Sequence, residues 1–539
     1  MKKNNKIVAL IPMILCIGII GGIFIGKSIF DRPLNKAEQK LQAMMSLIDH
    51  EYVDDISLDS IMEGTYAGLM AMLDPHSVYI PANDVEAVTD ELEGSFSGVG
   101  VSFQIISDTV NIIEIVAGGP AERVGLRPGD KIIEVNRKDL TGPNATNENV
   151  YKTLRGPKDT EVILTIKRSN TSKPLNFTVT RGEVPQTSVD AKYIISNDIG
   201  YVRVNKFART TYDEFTKALQ LLEAKGAKKF IVDLRGNSGG YMDQAVMMVN
   251  EFLPSDRMIV YTKGKNPMND SYLVSNGGGH YLDKELVVLT DEFSASASEI
   301  FAGAIQDNDR GLVIGRRTFG KGLVQNQLPL PDNSALRLTV ARYYTPSGRS
   351  IQKDYKMGGG GNYDKDISDR YLHGEFYNVD SIKLDKSKVF QTTGGRPVYG
   401  GGGIMPDIFV PEDTTGITGY YINVSNAGLL QQYAYMVAEK ERGTLASSKT
   451  KSQFLSKLPD DDTLLNGFVE YAVSKGEPAR WYYINQSRDL LLRNLKALIA
   501  RDAVGYSLFV EVLNSDDATV DRAIKALKAG ESPYNITSP

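Results

Sequence analysis

The sequence predicts a multidomain chain in which an α/β core is joined to a smaller β-rich module. An apolar helix precedes them and extra helices follow. Three observations carry this prediction. First, 539 residues exceed what one hydrophobic core holds, so several domains are expected. Second, strand-like and helix-like stretches alternate between residues 184 and 412, the pattern of an α/β sheet. Third, residues 93–183 carry short apolar strands separated by glycine-rich turns.

Composition removes several function classes. The net charge is −5 and no basic tract follows the first few residues, so a nucleic-acid footprint is lacking. Cys16 is the sole cysteine, which rules out an internal disulfide and a cysteine-based zinc site. His50, His76, His280 and His373 are scattered without ligand spacing, so no metal and no cofactor are expected.

At the start of the chain, Lys2, Lys3 and Lys6 precede an uncharged run over residues 7–26. That run has the length of a membrane-spanning helix, with its basic flank in the cytoplasm. Residues 1–30 are therefore expected to be a cytoplasmic stub and a single-pass membrane anchor. The rest of the chain would lie outside the cytoplasm, on the periplasmic side. A cleaved signal peptide is the competing reading, but no Ala-x-Ala site follows. A lipid anchor at Cys16 would want small residues where Met13, Ile14 and Leu15 stand.

Residues 31–92 read as helical. Leu41, Met44, Met45, Leu47 and Ile48 recur at helical spacing, and a second helix is predicted over 61–73. The turn Asp74-Pro75-His76-Ser77 follows. His76 could act as an acid or base, but nothing beside it resembles a partnered nucleophile. A structural hydrogen-bonding role is the expectation.

In the module at 93–183, strands are predicted over 99–105, 110–115, 131–135 and 162–167. Residues 118–130 give a short helix and a tight turn, and a second helix spans 147–154. This arrangement resembles a PDZ domain. The stretch Ser97-Gly98-Val99-Gly100-Val101 matches that family's loop for a peptide's terminal carboxylate, and so implies Gly98, Val99, Gly100 and Val101 in peptide binding. Small residues let successive backbone N–H groups converge on an anion, and the next strand edge can pair with an extended peptide. A plain glycine hairpin is the alternative.

The core reads as a strand over 199–204, a helix over 211–224 and a buried strand over 230–234. The turn Arg235-Gly236-Asn237-Ser238-Gly239-Gly240 then enters a helix over 242–252. Such a turn can cradle a phosphate or an oxyanion, or be a tight turn with no ligand. A strand over 286–290 and a small-residue helix over 297–307 meet at Ser294, Ser296 and Ser298. Ser296 and Glu299 fit a capping box, which would leave the serine a purely structural role. A helix N-terminus also favours a nucleophile by stabilising a developing oxyanion. Lys321, between Gly320 and Gly322, is the candidate proton acceptor. A lysine base must be neutral, and burial lowers its pKa from about 10.4 by roughly three to five units. Residues 315–322 nearly spell a phosphate-binding P-loop. However, Gly322 stands where Ser or Thr is needed and a strand-like run follows, so no nucleotide is expected.

Taken together, residues 37–411 resemble the carboxyl-terminal processing (tail-specific) proteases. The matching motifs are the turn at 74–79, the PDZ-like module, Asp233–Gly240, Ser294–Ile300, Thr318–Gly322 and Gln325. The resemblance implies Ser296 as nucleophile, Lys321 as general base and Gln325 as the residue that orients the lysine. It implies oxyanion donors from the N–H of Ala297 and from Gly239 or Gly240. It also implies a serine endopeptidase that recognises protein C-terminal tails through its PDZ domain, with Arg155 linking tail binding to the protease body. An inactive PDZ scaffold is the alternative, and intact Ser296, Lys321 and Gln325 oppose it. Gln325 lies four residues after Lys321, so in a strand both would share a face.

Two regions depart from the family pattern. A glycine-rich stretch over 355–402 is expected to be a mobile insert, and 413–539 a helical extension. Docking of an adaptor, homodimerisation and shielding of the site all remain open for that extension.

Overall fold

The computed structural model describes residues 35–535 apart from 107, 169–170, 359, 384 and 386. The predicted anchor at 7–26 lies outside the described residues. Among those described, no helix is long and apolar enough to cross a membrane. Residues up to 69 and those from 70 onward form two units. The first holds α1 (Lys36–Glu51) and most of α2 (Leu58–Ala71). Asn35 caps α1 by accepting from the N–H groups of Ala37 and Glu38, and the Glu38 carboxylate accepts from Asn35 N–H.

The second unit opens with β1 (Val78–Ile80) and α3 (Ala82–Glu93), which ends at Gly94 in a left-handed conformation. The β-rich module follows: β2 (Ser95–Gly98), β3 (Val101–Ile106), β4 (Thr109–Ile115), α4 (Pro120–Arg123), β5 (Lys131–Val135), β6 (Lys138–Asp139), α5 (Asn147–Leu154), β7 (Glu161–Lys167), β8 (Leu175–Thr180) and β9 (Gly182–Pro185). Its main sheet runs β3-β4-β5-β7-β8, which leaves β3 on an edge. Alternate residues of β7 (Val162, Leu164, Ile166) point into the module's own core. The sequence predicted β3, β4, β5, α5 and β7 but not β8.

The core contains β10 (Val189–Ser196), β11 (Ile199–Val204), α6 (Thr211–Ala224), β12 (Lys229–Asp233), α7 (Met242–Asn250), β13 (Met258–Gly264), β14 (Ser271–Val274), β15 (Glu285–Thr290), α8 (Ala297–Asp307), β16 (Leu312–Gly315), β17 (Leu323–Pro329) and β18 (Ala335–Tyr344). Within 355–402 lie α9 (Gly360–Leu372), β19 (Val389–Gln391) and β20 (Pro397–Tyr399), and β21 (Ile408–Phe409) closes the core. A six-stranded sheet runs β10-β11-β12-β15-β16-β21, parallel from β11 onward. A second sheet runs β1-β18-β13-β14, with β17 also paired to β18. Phe215 and Phe301 from the helices, with Phe252 just past the end of α7, pack on one face of the parallel sheet, against Val202, Val232 and Val288.

The C-terminal extension is helical, as predicted: α10 (Gly419–Asn426), α11 (Leu429–Leu445), α12 (Lys451–Lys457), α13 (Asp461–Ser474), α14 (Trp481–Gln486), α15 (Arg488–Ala503), α16 (Tyr506–Leu513) and α17 (Ala518–Ala529). Val510, Val520, Ala523 and Leu527 cover the sheet's other face at Ile231, Val287 and Leu289.

The region 355–402 is not the mobile insert that its glycines suggest. It forms a helix and a hairpin, with Tyr363, Arg370, Glu375 and Val398 buried. Some of its glycines serve close packing: a Cβ on Gly400 would stand 3.0 Å from the Ser350 carbonyl oxygen, whereas Gly358 and Gly395 have open space around them.

Candidate active site

The parallel strands β12 and β15 end side by side, and the turns after them hold each other. Asp291 accepts from the N–H groups of Gly236, Phe293 and Ser294. The Ser294 hydroxyl donates to the Leu234 carbonyl (2.8 Å) and the Ser298 hydroxyl to the Asn237 carbonyl (2.9 Å). Both flanking serines are thus buried stitches between turns. Ser296 is the one of the three that lines the cleft. It stands before α8 at φ 55°, ψ −112°, a strained conformation for a residue with a side chain. Strain of this kind occurs where a nucleophile is presented on a sharp strand-to-helix turn.

The glycine turn touches this serine directly. A Cβ on Gly239 would lie 2.7 Å from Ser296 Cβ and 3.0 Å from the Ala297 nitrogen. Gly239 N–H already donates to Asn237 Oδ1 at 2.9 Å. Gly240 N–H has no protein acceptor among the described residues. Ala297, first in α8, has no acceptor within its helix. Gly240 and Ala297 thus each bring to the cleft of Ser296 an N–H without a protein acceptor among the described residues.

Lys321 lines the same cleft, about 770 Å³ in volume. It sits in a loop just before β17, so the expectation that it shares a strand with Gln325 is corrected. The loop still brings the pair together: Lys321 Nζ donates to Gln325 Oε1 at 2.9 Å. Burial first, then the Arg337 charge, hold the Lys321 pKa below the ordinary lysine value, while Glu299 and Asp74 oppose that shift.

Gln325 is aimed from behind. Its amide donates to the His76 carbonyl oxygen. The turn bearing His76 is fixed by Asp74, which accepts from His76 N–H, Ser77 N–H and the Thr339 hydroxyl on β18. The His76 ring contacts the Tyr363 hydroxyl at 2.9 Å, and burial depresses its pKa to about 4. The structural role expected for His76 therefore has a specific form.

Two further residues join the serine and lysine segments, and sequence reasoning missed both roles. The buried Glu299 carboxylate accepts from the N–H groups of Ser296 (2.9 Å), Gly320 (2.8 Å) and Lys321 (2.8 Å) and from the Thr318 hydroxyl (2.6 Å). Burial raises its pKa to about 7 against those hydrogen bonds. The capping-box spacing was the sequence's only sign of it. The buried Tyr343 hydroxyl lies 3.0 Å from the Ser296 carbonyl oxygen and 2.5 Å from that of Lys321. No motif marks Tyr343.

The peptide-binding candidates lie apart from this cleft. Gly98 ends β2 and bridges to Arg155, Val99 is buried with its carbonyl accepting from Ala121 N–H, and Val101 begins the edge strand β3. Gly100 has φ +81°. The Arg155 guanidinium stacks over Phe96 (4.5 Å) and Tyr151 (5.5 Å) at the end of α5, and Tyr151 in turn meets Phe103 of β3.

Comparison with known proteins finds two known domain families in the chain. Residues 198–359 match peptidase family S41, 88–167 match the PDZ domain, and 420–505 match a family of unknown function. The carboxy-terminal processing protease CtpB of Bacillus subtilis is 33% identical over 326 residues, which cover 60% of this chain and 67% of that protein. A carboxy-terminal-processing protease of Bartonella bacilliformis is 36% identical over 306 residues, 56% of this chain and 69% of that one. Among solved structures, a photosystem II D1 C-terminal processing protease is 27% identical, covering 59% of this chain and 91% of that one, with a TM-score of 0.34.

Proposed function

This chain belongs to the carboxy-terminal processing proteases of peptidase family S41, and we propose that it cleaves proteins near their C-termini with Ser296 as nucleophile and Lys321 as base. The observation that carries the assignment is the commitment of groups around the cleft. Ser294 and Ser298 are tied to backbone, and Lys321 Nζ is held by Gln325 in the cleft that contains Ser296. Neutral Lys321 takes the Ser296 proton as the hydroxyl attacks a peptide carbonyl. The N–H groups of Ala297 and Gly240 stabilise the oxyanion, because they are aligned before the reaction and need not reorganise. Protonated Lys321 then gives its proton to the leaving amine, and water hydrolyses the acyl-enzyme.

The PDZ domain takes the substrate's C-terminal tail along the free edge of β3, with the carboxylate at the turn 98–101. Arg155, stacked at one end of that groove, passes tail binding on to the protease body. Residues 7–26 hold the protease on the membrane with its catalytic part outside the cytoplasm.

The test uses an unstructured protein with an apolar C-terminus. The wild-type chain is expected to shorten it, and Ser296→Ala and Lys321→Ala to be slower by about a thousandfold or more. Mass spectrometry of the products and calorimetry of the variants separate lost chemistry from lost fold. Equal cleavage by wild type and Ser296→Ala would show that another group is the nucleophile.

A further inference from the structure

Arg337 lines the cleft that holds Ser296 and Lys321, and it forms no ion pair among the described residues. Its guanidinium donates to the side-chain oxygen of Gln327 at 3.2 Å, and Gln327 in turn donates to Thr89 on α3. Gln325 and Gln327 are two apart on β17, beyond the register shift at Val324/Gln325, so they share one face of the strand. Gln325 grips Lys321 on that face and Gln327 grips Arg337. The two grips are thus about 7 Å apart along the strand. An unneutralised cation is held there beside an amine that must be free of its proton to act.

We propose that Arg337 is a positioning residue for catalysis, a fixed positive charge that keeps the Lys321 amine in its proton-accepting form. The proposal rests on Lys321 being the base. The other ionisable groups facing Lys321 are Glu299 from α8 and Asp74 and His76 from the turn before β1. Glu299 and Asp74 both favour the protonated amine, and His76 is neutral above pH about 4. Burial alone would have to overcome two carboxylates, and Arg337 supplies the opposing charge. Gln327 matters because it holds the guanidinium on the lysine side of the sheet by a neutral partner. A carboxylate at Gln327 would cancel the charge.

Two measurements test this on the intact protease. The first is kcat/KM against pH for wild type, Arg337→Gln and Arg337→Lys. The second is titration of the Lys321 side chain in Ser296→Ala protein carrying lysine-selective ¹³C labels, with the signal assigned by its loss in Lys321→Met. The Gln variant is expected to move the acidic limb up by about one pH unit, which is about a tenfold loss of rate on that limb with the alkaline plateau kept. The Lys321 signal should titrate higher by the same amount, and Arg337→Lys should restore both. A uniform fall in rate at every pH with the lysine titration unmoved would overturn the proposal, as would no change in either. The separate failure of the underlying reading is distinguishable: Lys321→Ala would then keep its activity and the wild-type acidic limb.

Discussion

Burial acts on two groups around Lys321 in opposite senses. It depresses the His76 imidazole to about 4 and raises the Glu299 carboxyl to about 7. For His76 the unfolded chain takes up a proton near pH 6.5 that the fold refuses until about pH 4, so stability falls as pH drops through that window. For Glu299 the fold holds a proton that the unfolded chain has lost, so stability falls as pH rises from about 4.5 to about 7. The two slopes oppose each other near pH 5 to 6. His76→Gln removes one of them and leaves the backbone carbonyl that receives Gln325. Calorimetry at pH 5 and pH 7 is expected to show the variant losing less stability than wild type on acidification. The difference should be on the order of 1 kcal/mol after screening of this half-buried ring. A greater loss in the variant would contradict the assignment. Sequence reasoning singled out Ser296, Lys321 and Gln325 because each sits in a short motif, and the three line one cleft. Of Glu299's four donors it reached only Ser296, through the capping-box spacing, and it did not reach the Tyr343 bridge, because the other partners lie 19 to 47 residues away and share no pattern with them.

At the scale of elements, local signals were read well and pairings between distant segments were not. α5, α6 and α8 fall where apolar spacing and capping place them. The sheet that joins β1 to β18 pairs Val78 with Arg337, and no local pattern announces such a contact. The insert shows the same limit, because glycine marks close backbone approach as readily as mobility. Its function is legible only in space. The buried Arg370 donates to the carbonyls of Arg317 (2.8 Å) and Thr318 (3.0 Å), on the segment that leads to Lys321. Glu375 pairs with both Arg370 and Arg317. Arg370→Met leaves two carbonyls unpaired and a buried carboxylate half-matched, a cost of about 3–5 kcal/mol. Amide exchange over residues 316–322 should accelerate and cleavage should slow. Lys388→Met, which removes an exposed pair with Asp385, should change neither. Unchanged exchange in the Arg370 variant would show that the insert does not support the lysine loop.

Across the whole molecule, the C-terminal helices complete the protease core as well as extend it. A parallel sheet needs both faces covered, and α6, α7 and α8 supply only one. α16 and α17 supply the other. The join is also polar: Arg235, in the turn that leads to Gly239 and Gly240, pairs with both Asp233 and Asp517, and Lys229 donates to the Leu527 carbonyl. The same region reaches the PDZ domain, where the Tyr435 hydroxyl on α11 lies 3.4 Å from Asn111 Oδ1 and Glu439 packs against Gly129. One helical region therefore touches the back of the parallel sheet and the PDZ domain. The sequence showed these helices by their periodicity, but not the sheet face they cover, because β12 and β15 are apolar on both faces. A chain ended after residue 412 would expose Ile231, Val287, Leu289 and Ile314 together, a contiguous apolar patch of the kind that drives aggregation. Such a truncated chain is expected to be insoluble or to unfold at much lower temperature, as read by soluble yield, circular dichroism and calorimetry. The milder Leu527→Ala should cost about 2–5 kcal/mol by opening a cavity on the same face. A soluble truncated protein with wild-type cleavage rates would show that the helices are an appendage, and that the catalytic sheet stands with one face bare.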